Sequence, residues 1–378
     1  MNDKEVREIR KRFRAEKNNI SYIRGCFINE KKEIVTQFSQ SLTMSSAEEA
    51  ESLLAVIRKS LSGGLGTNLI DIKFKNEQVM GSDEHGLLTA LRNSSLKDDN
   101  AVTEFFYRTS QTADIEGNYV ILLASDTYDV FSYSGDGVRS DSADGTYAYI
   151  ICAICPVKKF NTKLSFHAGD NMFHTLSADT ILSSPEIGFL FPSFDDRRAN
   201  IYNALYYTKD TSRNHENFVN RIFNTPLPMP ADVQKETFGH CLHATMSDKF
   251  DFDMIKAVHE EISDIVEEYK NSTEEEPLTL SKNELKNVLK SCGADEESVE
   301  AFGKKCDEEF GENMSVVPQN IVDIRKFEVK MPDVSIKVNP ECSDLISAQT
   351  VNGTRYIMIR ADENVEVNGV SINIKERK

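Results

Sequence analysis

The amino-acid sequence predicts a mixed α/β protein of the α+β class. It has an N-terminal sheet domain with helices, a central helical segment and a small C-terminal antiparallel β-meander. Three observations predict it. Apolar runs bounded by turn residues alternate with helical patterns through residues 1–212. Apolar positions then recur with helical period through 213–315. Residues 316–378 alternate with period two, the spacing of half-buried strands. These three segments are the predicted domains, in keeping with roughly 100–200 residues per domain for a 378-residue chain.

The elements follow in order. Residues 3–17 predict a short basic helix. Val6, Ile9 and Phe13 form one apolar stripe, surrounded by Lys4, Arg7, Arg10, Lys11, Arg12, Arg14 and Lys17. Strands 20–28 and 33–40 flank a polar turn and predict a hairpin. Ser45 or Ser46 caps the next helix, with Glu48 and Glu49 where the helix dipole favours negative charge. That helix stops at Gly63-Gly64, and a strand follows at 68–74. Helices are predicted at 84–95 and 97–112, then strands at 119–124 and 128–133. The Ser-, Asp- and Gly-rich stretch 134–145 reads as a loop, and the long apolar run 147–157 as a buried central strand. Strands at 188–191 and 200–207 complete the sheet.

Beyond residue 213 the pattern is helical. A helix at 217–223 ends against Pro226, Pro228 and Pro230, and amphipathic helices follow at 231–246 and 252–269. An acidic linker at 271–277 leads to a helical hairpin, 281–291 and 295–310, turning at Gly293. Ser281 and Glu284 fit a capping box. The meander, 327–374, carries Asn352-Gly353 and Asn368-Gly369, a dipeptide suited to the type I′ hairpin turn.

The net charge of −17 creates a field that repels phosphate backbones from the molecule as a whole, which argues against a basic DNA-binding protein of the usual kind. A local basic patch, such as residues 3–17, escapes that argument. No run approaches the ~20 apolar residues of a membrane span. The charged N-terminus lacks a signal-peptide core, so the expected location is cytoplasmic, with no membrane partner. Seven scattered cysteines give no disulfide framework.

Each apparent catalytic motif meets a geometric objection. Cys152 and Cys155 form a CxxC inside an apolar strand, where residues three apart face opposite sides, so buried thiols are the better reading. His240, Cys241 and His243, with His259 a helix away, offer soft ligands without the HExxH pattern, and helix packing accounts for them. The glycines at 63, 64 and 66 follow a helix and precede a strand, the reverse of a phosphate loop. The carboxylates of 134–145 lack EF-hand spacing. Glu328, Lys330, Pro332 and Asp333 place an ExK before a PD, opposite to the order of metal nucleases. GxSxG is absent. Asp195, Asp196 and Arg197 line up beside Arg198 as candidates for a polar pocket, or as a salt-bridge cluster at a turn. No cofactor and no metal are expected.

Several phrases occur together: Ile9-Arg10-Lys11-Arg12-Phe13, Leu61-Ser62-Gly63-Gly64-Leu65-Gly66, Cys152-Ala153-Ile154-Cys155-Pro156-Val157, Gly188-Phe189-Leu190-Phe191-Pro192, Gln234-Lys235-Glu236-Thr237-Phe238, and Arg325-Lys326-Phe327-Glu328-Val329-Lys330 with Pro332-Asp333-Val334. Over nearly the whole chain they resemble an uncharacterised Firmicutes family, domain of unknown function 4317. That resemblance implies no particular activity and no catalytic residue. The order of elements, including Asn217-Phe218-Val219-Asn220-Arg221-Ile222-Phe223 and the helix bearing Gln234, is also similar to the bacterial nucleoid-associated family of the NdpA type. It implies a non-enzymatic role on the chromosome.

The expected function is therefore that of a non-enzymatic cytosolic binding or scaffolding protein. Arg7, Arg10, Lys11, Arg12 and Arg14 are the candidate contacts to nucleic acid or to a protein partner, the alternative being a solvated helix that packs on the chain's own acidic surface. The alternatives are an enzyme using a pocket at Asp195, Asp196 and Arg197, or a protein–protein adaptor using the C-terminal β unit.

Overall fold

The computed structural model describes residues 1–378 except 15, 132–142, 144, 160–162, 168, 177–179, 247–250, 273–275, 362–364, 368 and 373–378. The chain forms two compact units, Met1–Ala231 and Asp232–Lys378.

The first unit opens with α1 (Asp3–Arg10), β1 (Tyr22–Ile28), β2 (Ile34–Ser41), α2 (Ala47–Arg58) and β3 (Leu69–Lys73). Then come α3 (Asn76–Gly81), α4 (Asp83–Asn93), α5 (Asp99–Thr112), β4 (Tyr119–Val130) and β5 (Gly145–Lys159). The short strands β6 (Lys163–His167), β7 (Met172–Leu176) and β8 (Thr180–Leu182) precede β9 (Ile187–Phe191), β10 (Ser193–Asp195), β11 (Arg198–Asn200), β12 (Asn203–Thr208) and α6 (Glu216–Ile222). The main sheet runs β2-β1-β4-β5-β9-β12-β3, with β8 added along the end of β5, and neighbouring strands are antiparallel.

Strand alternation explains why both faces of this sheet are covered. On β5, Ile150, Cys152 and Ile154 join a core with Leu88 and Leu91 of α4, Phe105 and Phe106 of α5, and Phe218 and Ile222 of α6. The intervening Tyr149, Ile151, Ala153 and Cys155 join a second core with Val6 and Ile9 of α1 and Ala50, Leu54 and Ile57 of α2. A sheet buried on both faces requires apolar residues at successive positions, which is why 147–157 reads as one apolar run. Fully burying each large side chain contributes about 1.5–3 kcal/mol.

The sequence did not predict α3, β6–β8 or the β10–β11 hairpin, and two predicted elements differ in extent. The strands expected at 119–124 and 128–133 are one strand, β4, because the polar interruption at Asp126 is satisfied by partners inside the fold. The basic helix ends at Arg10 rather than at 17, yet Phe13 stays fully buried and extends its apolar stripe.

The second unit holds α7 (Ala231–Met246), α8 (Phe252–Asn271), the short β13 (Leu280–Ser281), α9 (Lys282–Ser291), α10 (Glu296–Phe310) and β14 (Ser315–Val316), which pairs with β13. Phe238, Cys241, Ile262, Leu285, Leu289, Val299 and Phe302 make its core. Ser281 and Glu284 form the expected capping box, and Gly293 turns the helical hairpin at φ 91°. The remaining strands are β15 (Phe327–Met331), β16 (Val334–Val338), β17 (Ile346–Val351), β18 (Thr354–Ile359), β19 (Val365–Val367) and β20 (Val370–Ile372). They pair as three antiparallel hairpins, each its own ladder among the described residues, rather than as one continuous meander. Asn352 and Gly353 both have positive φ, 51° and 79°, as a type I′ turn requires. Asn368 lies outside the described residues. No described helix is long and apolar enough to cross a membrane.

Candidate functional site

The basic N-terminal segment is seated on the sheet by a polar network. Its hub is Asp126 of β4, only 2% exposed. Arg12 donates to Asp126 through Nε at 3.1 Å and Nη2 at 3.2 Å, and its Nη2 also reaches the Thr127 carbonyl at 3.1 Å. Asp126 accepts further bonds from Tyr149 Oη at 2.7 Å and from the amides of Asn19 at 2.8 Å and Thr127 at 2.9 Å. The Arg12 guanidinium lies 4.7 Å above the Tyr128 ring, a cation–π distance. Burial opposes the charge on Arg12, but the bond and field of Asp126 outweigh it and hold its pKa above the ordinary value. Burial pushes the Tyr149 hydroxyl well up, and Asp126 pushes it further.

A second clamp fixes α1 itself. Asn2 and Glu5 close a capping box, with Glu5 N to Asn2 Oδ1 at 3.0 Å and Asn2 N to Glu5 Oε2 at 2.8 Å. Glu5 Oε1 accepts from the Arg197 amide at 3.2 Å. Glu8 Oε1 accepts from Arg197 Nη2 at 3.0 Å and from Tyr128 Oη at 2.6 Å. Burial, followed by the Glu8 bond, pushes the Tyr128 hydroxyl up to about 12.

Arg197 reaches this position because Asp196 and Arg197 form the two-residue turn between β10 and β11, both with positive φ, 48° and 55°. Asp195 also faces an internal partner. Its Oδ1 lies 2.5 Å from the Met1 amino nitrogen, and its Oδ2 accepts from Asn200 Nδ2 at 2.7 Å. Asp196 is exposed. Asp195 and Arg197 thus come together as a latch on the N-terminal segment.

The five basic candidates divide by face. Arg12 points inward and is paired. Arg7, Lys11 and Arg14 are exposed and Arg10 is half-buried, and these four have no ion pair among the described residues. The acidic side chains Glu5 and Glu8 are turned toward the sheet unit. Asp3 and Glu16 are exposed beside Lys4, Arg7, Lys11, Arg14 and Lys17, so the outer side of the segment carries a net positive charge, on a chain of net charge −17.

The other motifs are placed as follows. Cys152 and Cys155 are fully buried in opposite cores, and burial pushes the Cys155 thiol up to about 12. Cys241 is buried, while His240 and His243 point outward. His259 bonds the Asp323 carbonyl through Nε2 at 2.9 Å and packs edge-on against Phe327. Gly63 and Gly66 form the exit from α2 and its terminal 3₁₀ turn into β3. Glu328 pairs with Lys326 and Lys337 on an exposed hairpin. The stretch 134–145 lies almost wholly outside the described residues. Among the described residues, no three His, Cys, Asp or Glu side chains are grouped to hold a metal ion.

Asp126, Tyr149 and Glu8 were not singled out by the sequence reading. The available signal was Ser125-Asp126-Thr127 interrupting an apolar strand. A carboxylate in such a place calls for a buried cation, and Arg12 is that cation.

The class defined by these features is a two-unit α+β protein: an antiparallel sheet covered on both faces by helices, and a helical unit ending in small hairpins. The family model for the domain of unknown function DUF4317 matches residues 1–370, and the chain belongs to that family. No curated protein matches it.

Proposed function

We propose that this is a non-enzymatic cytoplasmic binding protein that associates with the nucleoid, using its N-terminal basic segment to contact the nucleic-acid backbone. One observation carries this reading. Arg7, Lys11 and Arg14 are exposed and without ion pairs among the described residues, on a segment whose inner side is tied down by Arg12 and Glu8. Because the inner side of the segment is already fixed, only the side-chain rotamers of these cations are ordered when they meet a phosphate, at about 0.5–1.5 kcal/mol each. Its small number of charges also sets the expected strength: weak, strongly salt-dependent and independent of base sequence.

Three neutralised phosphates give a log–log salt slope of about −2.7, so binding to duplex DNA falls about fortyfold between roughly 50 and 200 mM salt. Mobility shifts of the full-length protein at those two concentrations test this. The triple variant Arg7→Gln, Lys11→Gln, Arg14→Gln is expected to abolish the shift while keeping the melting temperature. Absence of any shift by the native protein at the lower salt would refute the proposal.

A further inference from the structure

A second polar site lies in the sheet unit, built by elements other than α1. A cleft of about 480 Å³ opens where three elements meet: Lys32 from the turn between β1 and β2, Gln111 and Asp114 from the end of α5 and the residues after it, and Asn217, Asn220 and Arg221 from α6. The cleft is shallow and open, and these side chains are exposed, so a ligand would be held by polar contacts at its rim rather than enclosed. Its wall rests on a fixed base, because Phe218, Val219 and Ile222 of α6 are buried in the core beneath it.

The cleft holds more hydrogen-bond donors than the fold uses. Asp114 is met by Arg213, 3.8 Å away. Lys32 and Arg221 have no carboxylate partner among the described residues, and the side-chain amides of Asn217 and Asn220 have no hydrogen-bond partner there. His215, at the N-cap position of α6 but not part of the cleft lining, has a left-handed backbone, φ 48°. It is 7% exposed and neither ring nitrogen has a hydrogen-bond partner among the described residues. Burial, assisted by Arg213 and opposed by Asp114 and Asp210, lowers its pKa, so the neutral ring offers one donor and one acceptor. Two unpaired cations beside open carboxamides are the chemistry that recognises anionic oxygens on a polar body.

We propose that this cleft binds a small organic oxyanion, its anionic group held between Lys32 and Arg221 and its polar body read by Asn217, Asn220 and Gln111. A phosphate and a carboxylate share this chemistry, and the experiment separates them. The proposal does not depend on the nucleic-acid reading, and variants at residues 7, 11 and 14 leave this site intact.

Titration calorimetry on the full-length protein with ribose 5-phosphate, malate and inorganic phosphate tests it. The expected result is one saturable site for at least one of the two organic anions, at least about tenfold tighter than for inorganic phosphate. Arg221→Gln and Lys32→Gln are each expected to weaken it by about tenfold. Both side chains are exposed, so an unchanged melting temperature confirms that the variants fold. Tighter binding of ribose 5-phosphate assigns the phosphate class, and tighter binding of malate the carboxylate class. Either ranking upholds the site. No saturable binding of any probe at millimolar concentration overturns it, as does binding that both variants leave unchanged. Equal affinity for inorganic phosphate and the organic anions also overturns it, since the carboxamides would then read nothing.

Discussion

Replacing Asp126 with Asn removes the charge at the centre of the N-terminal network while keeping the shape of the side chain. The carboxylate accepts two bonds from Arg12, one from Tyr149 and one each from the amides of Asn19 and Thr127. An asparagine has a single acceptor oxygen. Placed toward Asn19 and Thr127, it leaves its NH₂ facing two donors, Arg12 Nε and Tyr149 Oη, because both bond Oδ2. Removing one partner of a buried ion pair costs about 3–5 kcal/mol. The Arg12 side chain keeps 16% of its exposure, so water recovers part of that loss. The expected cost is therefore about 2–4 kcal/mol. The chain has no Trp, so urea unfolding is followed by tyrosine fluorescence and circular dichroism, reading the transition of the sheet unit. A companion Arg12→Met variant and the double variant complete a cycle, and a coupling above about 1 kcal/mol is expected. A cost for Asp126→Asn below about 1 kcal/mol, the range of an exposed ion pair, would show that the network does not anchor the segment.

Two further outcomes follow from packing. Gly188→Ala is expected to destabilise the sheet unit by about 1–3 kcal/mol, measured by the same unfolding assay, because a Cβ there would lie 2.7 Å from the Cys152 carbonyl oxygen and 2.6 Å from Ser60 Oγ. In the native protein, iodoacetamide mass labelling should modify the exposed Cys342 first and leave Cys152 and Cys155 unmodified through pH 9. Burial holds both thiols protonated, that of Cys155 up to about 12, and labelling of either at a rate matching Cys342 would contradict this.

Much of the fold was legible because it is encoded locally. The capping box at Ser281 and Glu284, the left-handed Gly293 and the Asn352-Gly353 turn depend on residues within a few positions of each other. The apolar run of β5 was legible for a related reason, since a strand buried on both faces has no polar side to show. The CxxC was also readable, because strand geometry alone sends Cys152 and Cys155 to opposite faces. Strand order and the length of β4 were not readable. Asp126 looks like a break in the sequence because its partner, Arg12, lies more than a hundred residues earlier. The turn at Asp196 and Arg197 appeared only as a cluster of charges, and its sequence does not say that Arg197 would bind Glu8.

By itself the sequence determined the class of fold, most of the longer elements and several of their caps, and the concentration of positive charge at the N-terminus of an acidic chain. Those properties follow from period, turn chemistry and composition, which act over short distances. Only the tertiary structure decided which of those charges are free. Arg12 lies within the same run of basic residues as Arg7, Lys11 and Arg14, but it is drawn inward because a buried carboxylate on β4 needs a cation, while the other three are left facing water. The same holds for the cleft at Lys32 and Arg221, whose residues meet only when α5, α6 and the β1–β2 turn converge.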